Sequence, residues 1–124
     1  MNHSLGKSKK LKGKTTIARV FKDGKSVRKG PLRMVYVLNP NGKESSEHQI
    51  GFVVPKRFVK KAVDRNKMKR LMRESYRLQQ EIIQTLDSQY IQGMIMYQSS
   101  KPMEFEKMFS LMRKLLNELT KRAS

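Results

Sequence analysis

Between positions 56 and 73 the chain sets Lys56, Arg57, Lys60, Lys61, Arg65, Lys67, Lys69, Arg70 and Arg73 against a single acid, Asp64. Such a run suits one chemistry above others, the binding of phosphates. A guanidinium offers a planar fork matched to phosphate oxygens, and Asn66 in its midst can reach a phosphate, a 2′-hydroxyl or a base edge. Wound as a helix at about 100° per residue, Asn66, Arg70, Arg73 and Arg77 share a face opposite Met68, Leu71 and Met72. A helix that faces only water mixes signs along its outer face, because like charges three or four apart repel. An anionic partner would offset that repulsion. Catalytic chemistry finds no such support: the acids are scattered, no Gly-rich phosphate loop or metal-ligand spacing occurs, and the only imidazoles are His3 and His48. No catalytic residue and no metal site is therefore expected in the protein itself.

The elements that must position these cations belong to a chain of 124 residues with 28 Lys or Arg, 10 Asp or Glu and a formal charge of +18. That length suits one domain with a real core. The 37% of hydrophobic residues fall in periodic clusters, nine Met among them, so most of the chain should fold and the Met side chains should pack it. Residues 1–77 hold 22 basic and 5 acidic side chains, whereas 78–124 hold 6 and 5. The first part reads as functional surface and the second as scaffold. So large an excess destabilises the compact state by self-repulsion and points to a polyanion partner. Nucleic acid fits better than an anionic membrane, since the basic segments alternate with strands and form no helix with a large apolar face. With no apolar run of membrane-spanning length, no apolar core in the Lys-rich start and no Cys, a cytoplasmic protein without disulfides is expected.

Residues 1–14 read as a flexible basic arm and 15–124 as a single α+β domain. Thr15 or Thr16 can cap a short helix carrying Ile17, Val20 and Phe21 that ends before Gly24. A basic loop through Lys25, Arg28, Lys29 and Gly30-Pro31 follows. Leu32 to Leu38 then alternates Leu32, Met34, Tyr36 and Leu38 with Arg33, Val35 and Val37, which is strand chemistry. Asn39-Pro40-Asn41-Gly42 signals a turn, after which a strand from Gln49 to Pro55 is expected to return antiparallel. A long helix from about Asp64 to Leu86 carries Met68, Leu71, Met72, Ile82, Ile83 and Leu86 on one stripe. Tyr90 to Gln98 reads as a strand interrupted by Gly93, and a last helix buries Phe105, Met108, Met112, Leu115 and Leu116. Helices packed on one mostly antiparallel sheet result.

Two stretches carry a resemblance. Gly51-Phe52-Val53-Val54-Pro55-Lys56-Arg57 and the run from Lys61-Ala62-Val63-Asp64-Arg65-Asn66-Lys67 to Lys69-Arg70-Leu71-Met72-Arg73-Glu74 resemble the G-x-x-V-S-K-K strand end and A-V-x-R-N-R-x-K-R-x-x-R-E helix start of the bacterial ribonuclease P protein subunits. Val20-Phe21-Lys22-Asp23-Gly24 is similar to that family's V-F-x-x-G. Lys67 stands where the family has an arginine and so keeps the charge without the fork. Pro55 replaces the usual serine, and Ile17 a frequent phenylalanine.

The resemblance implies a sandwich of about four mostly antiparallel strands and three helices in the order αβββαβα. It also implies a non-catalytic subunit of an endoribonuclease that docks on ribonuclease P RNA through Arg65, Asn66, Lys67, Lys69, Arg70 and Arg73. The 5′ leader of precursor tRNA would lie in a groove between the first helix and the sheet. Phe21, Tyr36, Phe52 and Lys56 are the first candidate leader contacts, with Met34, Val54 and Arg57 next. Aromatic faces for bases and cations for phosphates suit single strands of varied sequence, and the Tyr36 hydroxyl favours a wet edge. Cleavage would use Mg²⁺ held mainly by the RNA, with no protein partner and no membrane implied. The alternative is a structural RNA-binding protein of ribosomal type, without a role in tRNA processing.

Overall fold

A computed structural model describes residues 20–22, 24–38, 48–86 and 90–123. The basic arm, its boundary at residue 15, the caps at Thr15 and Thr16, Ile17, His3 and the Asn39–Gly42 turn lie outside the described residues. Residues 20–22 form the described end of a first helix, α1, and the Gly24 N–H bonds to the Val20 carbonyl at 2.9 Å. The remaining elements are β1 (Lys25–Lys29), β2 (Leu32–Leu38), β3 (Gln49–Val53), α2 (Ala62–Arg77), a 3-10 turn (Gln80–Thr85), β4 (Ile91–Tyr97) and α3 (Phe105–Ala123).

Where the sequence suggests a basic loop, the structure has strand β1 and a two-residue hairpin that pairs Lys29 with Leu32. Gly30 stands at φ 56°, the left-handed conformation that the first central position of such a turn requires, and Pro31 follows with its φ locked negative. The pairing of β3 is a second difference. It does not return against β2; the sheet order is β1-β2-β4-β3, with β4 antiparallel to β2 and parallel to β3. The physical reason lies in composition. All seven residues of β4 are buried, so this strand takes a central place, whereas β3, with Gln49 and Gly51 among its five residues, is left on an edge. Gly93 does not interrupt β4. A Cβ there would stand 2.5 Å from the Met34 methyl carbon and 3.2 Å from the Tyr36 Cβ, so its lack of a side chain lets the large residues of β2 fill that space.

The expected long helix also divides. α2 ends at Arg77, and the chain tightens into the 3-10 turn after Gln79, whose backbone leaves the helical region at φ −125°, ψ 13°. The Gln79 amide is buried and donates to the Ser75 carbonyl and to the Phe109 carbonyl of α3, both at 3.0 Å. Pinned to two helices, it redirects the chain so that Ile83 and Leu86 reach the core.

α2 and α3 cover one face of the sheet. Their Met68, Met72, Tyr76, Met108, Met112, Leu115, Leu116 and Leu119 meet Val27, Leu32, Met34, Tyr36, Ile50, Ile91 and Ile95. Each large aliphatic side chain buried there contributes about 1.5–3 kcal/mol relative to exposure. On the opposite face a smaller cluster seats Val20 of α1 on Val35, Met94 and Met96, with Val37 and Val53 half-buried beside them. The architecture is α+β: a mixed, mostly antiparallel four-stranded sheet with three helices.

Candidate nucleic-acid interface

α2 buries Met68, Met72, Ser75 and Tyr76, which leaves the opposite side of the helix to water. Asn66, Arg70 and Arg73 are exposed there, and with Val63 and Lys69 they line a shallow depression of about 530 Å³. Arg77, on the same face, is half-buried and forms a two-point ion pair with Glu74, one arm of which is Nε to Oε2 at 3.0 Å. The exposed cationic patch is thus centred on Asn66, Arg70 and Arg73 and does not run the whole length of α2. No side chain caps this helix start, and Lys61 precedes it in an extended conformation. The first-turn N–H groups therefore add positive potential where the cations cluster.

The sequence-selected cations have unequal roles. Arg65 turns back: one guanidinium nitrogen donates to the carbonyls of Val59 at 3.1 Å and Lys60 at 2.7 Å, so this side chain locks the loop that leads into α2. The same loop begins with a tight turn in which the Pro55 carbonyl accepts from Phe58 and Val59, and it holds Lys56 and Arg57 in solvent. Arg57 stacks over the Phe58 ring at 4.9 Å. Lys67 is exposed on the flank of α2, beside a cavity walled by Val59, Met68, Leu71, Met103 and Phe105.

The sheet residues need correction. Tyr36 is 2% exposed and Met34 is fully buried, both facing α2 and α3. Burial pushes the Tyr36 phenol above its usual range, with the Arg122 charge opposing. Val54 is buried in the same core, and Phe52 packs against it with its ring 5.7 Å from that of Tyr76. None of these four presents itself on the face that α1 crosses. That face carries the other residue of each alternating pair: Val35 and Val37 on β2, Val53 on β3, Met94 and Met96 on β4, and by the same alternation Arg33. Phe21, at the described end of α1, is 46% exposed and remains a candidate. The missed residues left a trace in the sequence. Arg33 shares its parity with Val35 and Val37, and a strand's charged set marks the face that stays near water.

His48 does not simply sit in a polar turn. Its Nδ1 accepts the Ile91 N–H at 3.1 Å, its ring tilts against Tyr90 at 5.8 Å, and burial holds its pKa below 6.5 against the raising effect of the Ile83 backbone. It ties the start of β3 to the start of β4. Among the described residues no group of three or more His, Cys, Asp or Glu side chains could hold a metal ion, and no helix is long and apolar enough to cross a membrane.

Fold and surface together define a small basic α+β protein with a rigid cationic helix start and a second sheet face half-covered by one helix. The Ribonuclease P family pattern matches residues 5–120, and the chain belongs to that family. It is 34% identical over 83 residues to the ribonuclease P protein component of Chlorobaculum tepidum, a match that covers 65% of this chain and 54% of the relative. With the same component from Porphyromonas gingivalis the identity is 39% over 79 residues, covering 64% and 57%. The matched stretches thus span little more than half the length of these relatives. The fold is that of the RNase P protein of Staphylococcus aureus, with a TM-score of 0.71 at 22% identity over 94% of this chain and 98% of the other. The RNase P protein of Thermotoga maritima gives a TM-score of 0.70 at 23% identity over 88% and 96%.

Proposed function

We propose that this chain is the protein subunit of ribonuclease P, a cytoplasmic ribonucleoprotein that removes the 5′ leader of precursor tRNA by endonucleolytic cleavage. The observation that carries the reading is the exposed row of Asn66, Arg70 and Arg73 on α2, set on a helix whose other side is locked in the core. Preorganised forks give phosphate contacts at low entropic cost, and the RNA subunit is their partner. Family membership favours this role over that of a ribosomal-type protein.

The leader lies on the sheet face crossed by α1. Phe21 offers a ring for stacking, and Lys22, Arg33, Lys56 and Arg57 offer charge to its phosphates, while Val37 and Val53 give apolar contact that does not discriminate between bases. Hydrolysis belongs to the RNA and its Mg²⁺. The scattered carboxylates of the described residues supply no cluster for such an ion. The protein contributes cations that replace condensed counterions and so lower the Mg²⁺ the RNA requires.

The deciding experiment adds purified protein to a ribonuclease P RNA at low Mg²⁺ and follows leader removal. Cleavage should appear only with both components, its gain shrinking as monovalent salt rises, and the RNA alone should cleave only at high Mg²⁺. Replacing Arg70 and Arg73 with Ala should reduce the salt slope of RNA binding by about 1.4–1.8, at ~0.7–0.9 per phosphate contact. Site-specific cleavage by RNA-free protein would overturn the reading, as would a protein that binds the RNA without stimulating it.

A further inference from the structure

Residues 78–124 are close to neutral by count, yet the fold sorts their charges. Five of the six basic side chains, Lys107, Arg113, Lys114, Lys121 and Arg122, are on α3, whereas Glu81, Asp87 and Glu104 precede that helix in the chain. Of the two acids on α3, Glu106 is in the first turn, where it complements the helix dipole. The other, Glu118, is turned toward β1 and held by Lys29 at 3.5 Å and Arg122 at 3.0 Å. Arg122 also reaches the Ser26 carbonyl at 3.4 Å, which ties this flank to the sheet edge.

What remains on the side of α3 away from Met108, Met112, Leu115 and Leu119 is a straight row: Lys107, Ser110, Lys114, Asn117 and Lys121. The spacing of three and four residues places them one above another along the helix. The row contains no acid. Among the described residues no ion pair engages Lys107 or Lys114. These two lysines are two helical turns apart, about 10.5 Å along the axis, and the neutral hydrogen-bonding residues Ser110 and Asn117 alternate with the charges. A merely solvated helix face would mix charge signs for i,i+4 pairing.

The alternation fits a particular surface. A-form RNA presents a wide, shallow minor groove in which 2′-hydroxyls lie between two rows of phosphates. We propose that the outer row of α3 is a second RNA-docking surface, laid over the shallow groove of a double-helical RNA segment. Lys107 and Lys114 contact phosphates there, and Ser110 and Asn117 contact 2′-hydroxyls. Lysine, a point charge without a fixed fork, suits contact that ignores sequence. α3 packs beside α2 on the same face of the sheet, so both outer rows belong to one helical layer. The inference rests on the reading of α2 as the face that docks on RNA.

The test uses the full chain, a short RNA duplex, a DNA duplex of the same sequence and ribonuclease P RNA as probes. The variant K107A/K114A should bind the RNA duplex about fivefold more weakly at low salt, with the slope of log affinity against log salt smaller by about 1.5. N117A should lose preference for RNA over DNA while keeping its salt slope. Unchanged affinity and slope in K107A/K114A, and equally in K107Q/K114Q, would overturn the proposal. If R70A/R73A binds ribonuclease P RNA normally while K107A/K114A does not, the α2 reading fails and the α3 surface stands. Loss of binding to anionic lipid vesicles in K107A/K114A with RNA binding intact would assign the row to a membrane surface and sink the inference.

Discussion

The two faces of this sheet are built from the same strands and carry different burdens. One is covered by two long helices that close over Tyr36, Met34, Ile50 and Ile95, and its residues are chosen for volume. The other is crossed by the end of α1 and, among the described residues, buries Val20, Val35, Met94 and Met96, with half-exposed Val37 and Val53 at its margins. Aromatic residues on the first face serve packing, whereas Phe21, near the second, is exposed. A tyrosine on a strand therefore says little about binding until the helices that cover it are known.

The largest expected effect lies on the covered face. Replacing Tyr36 with Ala should destabilise the protein by about 3–5 kcal/mol, the usual cost of truncating a buried aromatic side chain. Chemical denaturation should reveal it, with any loss of tRNA binding following the loss of folded protein. A variant of near-native stability that binds precursor tRNA poorly would return Tyr36 to the ligand side and break the contrast between the faces.

On the other side, Phe21→Ala should leave stability nearly intact and weaken precursor tRNA binding by about 1–3 kcal/mol, the worth of one base-aromatic stack. Binding of mature tRNA should not change. Equal losses for both RNAs would mean that Phe21 does not meet the leader.

His48 sharpens the comparison at the strand ends. Its pKa in the folded protein is held below 6.5, so the unfolded chain binds the proton more readily. This contribution to stability is present above pH 6.5 and is lost as the pH falls toward the folded-state value, at no more than about 1.4 kcal/mol per pH unit for one proton. Denaturation midpoints should drop between pH 7 and pH 5.5, and His48→Gln should flatten that dependence. An unaltered dependence in the variant would remove His48 from the account.

The smallest effect concerns the boundary of the cationic patch. Because Arg77 is paired with Glu74 on the helix surface, where solvent screens the pair, Arg77→Ala should lower stability only slightly and change the salt slope of RNA binding less than either Arg70→Ala or Arg73→Ala. An equal change in slope would extend the patch by another turn.

Local rules made much of this protein legible in its sequence. Alternation along positions 32–38, the stripe of Met68, Leu71 and Met72 and the excess of arginine on the opposite face follow from the fixed periods of strand and helix, which need no knowledge of the rest of the chain. Those periods identify the cations of α2, although not that Arg65 and Arg77 are engaged by their own neighbours. Strand order, the face that helices cover and the turning of Glu118 toward Lys29 of β1 were decided only in the tertiary structure. Alternation divides a strand into two sets without saying which set faces the helices. That choice depends on where α2 and α3 find enough apolar surface to bury, and their partners on β2, β3 and β4 are distant in sequence and meet only when the sheet is assembled.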